Sequence, residues 1–343
     1  QTTTVMSPRP LSPAWAYVHD MLSKYPNTPS LTLAKKIMAE NTSMFTTVEA
    51  ARSAIRYFRG ATGSKARKHA DPKLSRPFDE SMFNPFGLPK SDEVEFIPFV
   101  LPVDCSRVLY LTDVHIPYHN IEALSAAIQL GHDKRIDTIF IGGDFLDFYS
   151  LSTFERDPRQ RGFADELEMG REVLGIIRRE FPDAAMFYQL GNHEERFERY
   201  MRVKAPELLS VDEFRIDRLL DFDKLGIELI DGKRVAKAGK LNIVHGHEFG
   251  RGGASSSVNP ARGLYNRSKT STICGHHHQT SEHTERDLNG DIVTTWSCGC
   301  LCELSPEYMP INRWNHGAAF IEIDHDNGRF MVDNKRILNG TII

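Results

Sequence analysis

A chain of 343 residues carries 42 Lys and Arg against 46 Asp and Glu, a formal charge of −4, so no global field favours nucleic acid or a membrane and any polyanion contact has to be local. With 40% hydrophobic and 26% charged residues the composition is globular, which excludes a long disordered chain, and the length suits about two domains. No apolar run approaches the ~18 residues of a membrane helix, and the first residues lack the charged patch and apolar core of a signal peptide, so the expectation is a soluble, cytoplasmic protein with no membrane partner.

Three helices are predicted in the first sixty or so residues. Ser12 as N-cap and Pro13 at the first helical position open the first, with Trp15, Val18, Met21 and Leu22 on one face. A second fits Ser30 to Glu40. The third begins with Thr46 and Glu49 in capping-box spacing, and Val48, Ala51, Ile55 and Phe58 recur at helical intervals until Gly60. Beside that apolar stripe runs a basic one, Arg52, Arg56 and Arg59, followed by Lys65, Arg67, Lys68, Lys73 and Arg76. Residues 51 to 76 hold eight basic residues against one acid, Asp71, a local net of +7. An Arg stripe on the last helix of a small all-α unit suits a helix-turn-helix reader of nucleic acid, with partner docking as the alternative.

Six of the 18 prolines fall between residues 71 and 104, where lost backbone donors disfavour regular structure. The expected organisation is therefore a helical module over 1–70, a Pro-rich linker over 71–104 and a second domain over 105–343. In that domain strand-like runs (106–112, 136–142, 185–190) alternate with helical ones (120–133, 165–181, 193–203), which implies a largely parallel α/β sheet. Beyond residue 226 the runs are shorter and strand-rich, and suggest a second, mixed sheet packed on the first.

Each strand run ends in metal-ligand residue types: Asp113-Val114-His115, Gly143-Asp144-Phe145-Leu146-Asp147, Gly191-Asn192-His193-Glu194, His245-Gly246-His247 and Gly275-His276-His277-His278. Seven of the 14 histidines lie in these five stretches, and ligands of open α/β sheets gather at the carboxyl ends of strands. Residues two apart in an extended segment share a side, so Asp113 with His115, and His276 with His278, can converge. Carboxylate, imidazole and amide oxygen together suit Mn, Fe, Zn or Co rather than thiolate-selective metals. Five cysteines are an odd count and should be reduced thiols; Cys298, Cys300 and Cys302 read as small buried residues on an apparent strand from Trp296 to Glu303. Glu194, Arg196 and Arg199 read as a solvated helix face, with Arg196 and Arg251 as candidate phosphate contacts.

The ordered set Asp-x-His, Gly-Asp-x-x-Asp, Gly-Asn-His-Glu, His-Gly and Gly-His-x-His, over about residues 105 to 280, resembles the calcineurin-like metallophosphoesterase superfamily. The resemblance implies a two-sheet sandwich flanked by helices, here preceded by the all-α module. It implies two divalent cations, with manganese favoured: one on Asp113, His115, Asp144 and His278, the other on Asn192, His245 and His276, with Asp144 bridging. His193 then assists the leaving oxygen, Asp147 orients it, and a metal-activated hydroxide attacks phosphorus. His247 and His277 stay outside the ligand set. Protein Ser/Thr phosphatases of this superfamily carry phosphate-clamping arginines where this chain has Phe148 and Leu190, so its motifs look closer to the branch of DNA-repair nucleases, cyclic-nucleotide phosphodiesterases and small-nucleotide phosphatases. The expected function is a nuclease or phosphodiesterase acting on nucleic acid, with Arg52, Arg56 and Arg59 binding the strand. The alternatives are an enzyme of small nucleotides and a non-catalytic scaffold with this fold.

Overall fold

The computed structural model describes residues 12–26, 28–61, 96–152, 162–231, 233–250 and 258–343. The tail from Lys65 to Arg76, the greater part of the Pro-rich segment and Arg251 lie outside the described residues. The chain divides into two compact units, residues 1–94 and 95–343.

Among the described residues the first unit holds three helices, α1 (Pro13–Lys24), α2 (Ser30–Glu40) and α3 (Val48–Phe58). Ser12 Oγ accepts from Trp15 N, and Pro13 occupies a position whose N–H would have no helical partner. The third helix starts one residue later than its Thr-x-x-Glu spacing predicts. Thr47, extended at φ −147°, accepts from Ala50 N at 3.1 Å, which leaves Glu49 in the first turn to pair with Arg52 instead of closing a capping box. Val18, Leu22, Leu33, Ile37 and Ile55 are fully buried between the three helices.

The second unit is a two-sheet sandwich. Among the described residues one sheet has seven strands in the order β13 (Thr341–Ile342), β12 (Arg329–Leu338), β11 (His316–Asp324), β2 (Arg107–Leu111), β3 (Thr138–Gly142), β4 (Ala185–Gln189) and β5 (Ile227–Ile230), and the other has six in the order β1 (Phe99–Val100), β6 (Ala236–Ala238), β7 (Leu241–Val244), β8 (Thr272–Cys274), β10 (Ile292–Ser297) and β9 (Ser281–Arg286). The strands that position the site are β2 (Arg107–Leu111), β3 (Thr138–Gly142) and β4 (Ala185–Gln189), which run parallel in the first sheet, and β7 (Leu241–Val244) and β8 (Thr272–Cys274), parallel in the second. Period-two alternation divides the buried side chains of β2 into two cores. Val108 and Tyr110 pack with Phe140, Ile243 and Ile273 between the sheets, while Leu109 and Leu111 face the helical layer built on Ile121–Lys134 and Phe163–Glu180.

The later strands divide differently from the expectation of one separate sheet. Ile227–Ile230 extends the parallel run beside β4, and His316–Asp324 and Arg329–Leu338 return antiparallel to the other side of β2. Strand-like patterning reports a buried face, not which sheet owns it. The strand expected to run from Trp296 to Glu303 ends at Ser297, and Cys300 and Cys302 beyond it make only single bridges, to His316 and His119. Among the described residues no helix is long and apolar enough to cross a membrane.

Candidate metal centre

All five clusters follow directly on strand ends, and their backbones turn sharply there. Asp113, His115, Asp144, His276 and His278 have φ of +53°, +50°, +51°, +66° and +54°, a region costing about 1–3 kcal/mol for a residue with a side chain. The pairing of β2 with β3 continues past the strands, with His115 N donating to Asp144 O at 3.0 Å. Gly191 and Gly275 permit the closest approaches: a Cβ on the first would collide with the Asp144 carboxylate, and on the second with Thr112 and Asp113.

The turns bring the seven sequence-predicted ligands together. His115 Nε2 and His278 Nε2 stand 3.1 Å apart, with Asp113 Oδ1 3.3 Å from His278 Nε2 and Asp144 Oδ2 3.8 Å from His115 Nε2. On the other side of Asp144, the same Oδ2 is 3.2 Å from His245 Nε2, which in turn is 3.1 Å from Asn192 Oδ1. His276 completes this second group, its ligand atom within 4.8 Å of those of Asp144 and His245. Asp113, Asp144, His115, His245 and His278 are buried. Imidazole nitrogens aimed at one another and at carboxylate oxygens, shielded from water, form a donor set that fits divalent cations, with Asp144 common to both groups.

A family model described as calcineurin-like phosphoesterase matches residues 106–297, more than half of the chain. The chain belongs to that family. It is a metal-dependent hydrolase of phosphoester bonds. The phosphoesterase is similar to the Gene 54 protein of Mycobacterium phage L5, at 27% identity over 251 residues that cover 67% of this chain and 97% of that protein. It is also similar to the Gene 54 protein of Mycobacterium phage D29, at 27% over 250 residues, covering 66% and 96%. Among solved structures, a dimetal phosphatase from Danio rerio shares 11% identity over 70% of this chain and 98% of its own, with a TM-score of 0.34.

Within the phosphoesterase's own groups the acids take their counter-charge from imidazoles. Burial opposes the charge on Asp113, yet His278 outweighs it and holds the carboxyl down at about 2. Burial likewise opposes Asp144 and Asp147, and their histidine neighbours keep both well below the usual carboxylate range. The reciprocal effect of Asp113 lifts His278 to about 10 against its burial, whereas burial, helped by His245, pushes His276 down to about 3.

Asp147 and His193 meet, although Asp147 is shared. Its Oδ1 lies 3.1 Å from His193 Nδ1 and 3.0 Å from His115 Nδ1, so one carboxylate orients both rings. His193 Nδ1 also faces the Asp147 carbonyl at 2.9 Å, and its backbone N–H donates to Asp144 Oδ1 at 2.8 Å. The Nε2 atom meets Arg196 Nη2 at 2.9 Å, while Arg196 Nη1 donates to the Asp147 carbonyl at 2.9 Å. Arg196 is thus fixed at the centre rather than on a solvated face.

Glu194 corrects the same expectation more strongly. It is buried, and its carboxylate accepts from the backbone N–H groups of Asp144, Phe145, Leu146 and Gly191 and from the Tyr188 hydroxyl, at 2.8–3.1 Å. This one side chain pins the Gly-Asp-x-x-Asp turn to the Gly-Asn-His-Glu turn.

The remaining candidates sit outside the centre or at its edge. His247 Nε2 pairs with Glu195 at 3.0 Å. All five cysteines are buried free thiols, and Cys302 Sγ lies 3.8 Å from His278 Nδ1, on the side of the ring opposite Asp113. The basic stripe of α3 is divided in its roles. Arg59 donates to Ser30 Oγ and to the carbonyls of Pro26 and Thr28, each at 2.8 Å, which ties the α1–α2 connection to the end of α3. Arg52 pairs with Glu49, and Arg56 is exposed.

Proposed function

We propose that the phosphoesterase cleaves phosphodiesters in nucleic acid, with the N-terminal helical unit binding the strand. The observation that carries this reading is the lack of a guanidinium at positions 148 and 190, the clamp that the protein phosphatases use for a dianionic monoester. Phe148 is fully buried against Phe163 and Phe197, and Leu190 is apolar. Arg196 does reach the centre, and a single guanidinium matches the single negative charge of a diester. The exposed Arg56 on α3 adds a point of attraction for a polyanion.

In this reading Asp113, His115, Asp144 and His278 would hold one cation, and Asn192, His245 and His276, with Asp144, the other, manganese being the ion we expect. Two such ions supply Lewis acidity toward the phosphoryl oxygens and lower the pKa of a water molecule. His193 presents Nε2 toward the same space and passes a proton to the leaving oxygen. Asp147 accepts from Nδ1–H and stabilises the imidazolium, whose Nε2 proton is the one passed on. Arg196, now hydrogen-bonded to Nε2, exchanges that contact for a non-bridging oxygen when the diester arrives.

The test is a parallel assay of the Mn²⁺-loaded protein on labelled single-stranded and duplex DNA, RNA, cyclic nucleotides and p-nitrophenyl phosphate. Turnover of a polynucleotide is expected, with binding that weakens as salt rises and a shallower salt slope in Arg56→Ala. Turnover confined to small nucleotides or to the monoester refutes the reading.

A further inference from the structure

The segment from Glu303 to Asn315 runs beside the metal centre and carries apolar side chains where a solvent-facing loop normally has polar ones. Tyr308 is 73% exposed, Ile311 93% and Met309 37%. The segment is anchored on both sides of the site. Glu303 N donates to the carbonyl of Tyr118, three residues after the ligand His115, and Asn315 N donates to the carbonyl of the ligand His278, at 2.8 and 2.9 Å. Trp314 lies on His278 itself, with ring centroids 4.1 Å apart, and Tyr308 meets Trp314 at 6.4 Å and 65°. Tyr118, where the segment is anchored, is 37% exposed and packs edge-on with Tyr149, two residues beyond Asp147. The Tyr308 hydroxyl senses the same acids: burial of that end and the charge on Asp147 push it up to about 12.

An exposed Tyr308 ring against a half-buried Trp314 ring, beside a phosphate site, has one economical use. Any nucleobase offers a π-face, and stacking on an aromatic platform holds it without reading its identity. A phosphate engaged at the His and Asp groups leaves the attached base one sugar away, within reach of the Trp314 and Tyr308 rings. We infer that Trp314 and Tyr308 form a base-stacking subsite for the nucleotide flanking the scissile phosphate. The phosphoesterase therefore takes unpaired strands in preference to duplex, since a base still stacked in a helix cannot reach the platform. The inference rests on the nucleic-acid reading above for its substrate, and stands on the aromatic geometry for its residues.

Two measurements on the full chain test it. The first compares kcat/KM for a short single-stranded oligonucleotide and for the same strand with abasic residues flanking the cleaved position. Wild type should prefer the base-bearing strand by about tenfold or more, and Tyr308→Ala and Trp314→Ala should each erode that ratio. A preference that is absent in wild type, or unchanged in both variants, overturns the subsite. The second needs no turnover. Adenosine 5′-monophosphate should quench tryptophan fluorescence where ribose 5-phosphate does not, and the quenching should be lost in Trp314→Phe, which retains Trp15 and Trp296. Equal quenching by both ligands, or quenching that survives Trp314→Phe, refutes the platform. If no strand is cleaved while the nucleotide quenches through Trp314, the failure belongs to the nucleic-acid reading and the base subsite stands.

Discussion

Replacing Glu194 by Gln keeps the shape of the side chain and removes one acceptor atom from the most heavily used buried carboxylate described at the centre. Oε1 accepts from Phe145 N, Leu146 N and the Tyr188 hydroxyl, and Oε2 from Asp144 N and Gly191 N. The amide does least harm by placing its oxygen at Oε1. Its NH₂ then confronts two buried N–H donors that have lost their acceptor. At about 1–3 kcal/mol for each unsatisfied donor the loss is about 2–6 kcal/mol, and at roughly 2–4 °C per kcal/mol for a unit of this size Tm falls by on the order of 4–24 °C. Because Asp144 N is one of the orphaned donors, the turn carrying Asp144 loosens, and the rise in Tm on adding Mn²⁺ should shrink as well. Melting curves in EDTA and in Mn²⁺ measure both effects. Glu195→Gln is the control: its partners are His247 and Lys233, its side chain is 33% exposed, and the expected change is below about 1 kcal/mol. If Glu194→Gln melts within about 2 °C of wild type in EDTA, or no further from it than the control, the carboxylate is not the pin described here.

Three further outcomes are expected. Asp144→Asn should lose both bound metal, by elemental analysis, and turnover, whereas His193→Ala should keep its metal and lose most of kcat; equal metal loss in the two contradicts the division of roles. Arg59→Ala should destabilise the helical unit by about 2–4 kcal/mol through its three lost contacts, and Arg56→Ala by less than about 0.5 kcal/mol, read as helical circular dichroism in urea; similar midpoints would show that Arg59 is not structural. Glu166 is buried, and burial raises its carboxyl from 4.5 to about 8, so the folded state keeps a proton that the unfolded chain releases. Stability from this group is complete below about pH 4.5 and is lost as pH rises toward 8, at about 1.4 kcal/mol per pH unit. Glu166→Gln should therefore gain on wild type between pH 5 and 8, and a pH-independent difference would show that Glu166 is already ionised.

The convergence of the candidate ligands was readable in the sequence because two local rules coincide there. A period-two apolar run ends, and Asp, Asn or His stands in the turn where the backbone must leave the sheet. The neighbours of the ligands were less readable. Glu194-Glu195-Arg196 has the composition of a solvated helix face, and only the fold turns the first and third residues inward while leaving Glu195 at the edge. Arg59 falls in the same stripe as Arg52 and Arg56 by helical spacing, but the carbonyls of Pro26 and Thr28 that capture it belong to a connection 31 and 33 residues earlier. Sheet membership was hidden for a related reason. The strand at Ile227–Ile230 and the one at His316–Asp324 carry the patterning of any half-buried strand, and which edge each joins is settled by long-range packing.

The five candidate ligands with left-handed backbone show why this centre draws on the whole sandwich. Glycine would adopt φ near +50° to +66° at least cost, and Asp or His there adds strain of about 1–3 kcal/mol apiece. Such strain persists only where surrounding contacts over-determine it, and those contacts are present. The Asp113 carboxylate accepts the His276 N–H at 2.8 Å, the Glu194 carboxylate accepts the Asp144 N–H at 3.0 Å, and Asn315 N binds the His278 carbonyl at 2.9 Å. Each contact joins elements from different parts of the chain, and Asp113 to His276 joins a turn of one sheet to a turn of the other. Sliding the two sheets relative to each other would break the Asp113–His276 and Asn315–His278 hydrogen bonds and release those turns together. The dense core of Tyr110, Phe140, Phe187, Ile243 and Ile273 between the sheets is what prevents it, so the geometry of the candidate ligands is set by apolar packing behind them as much as by the polar residues around them.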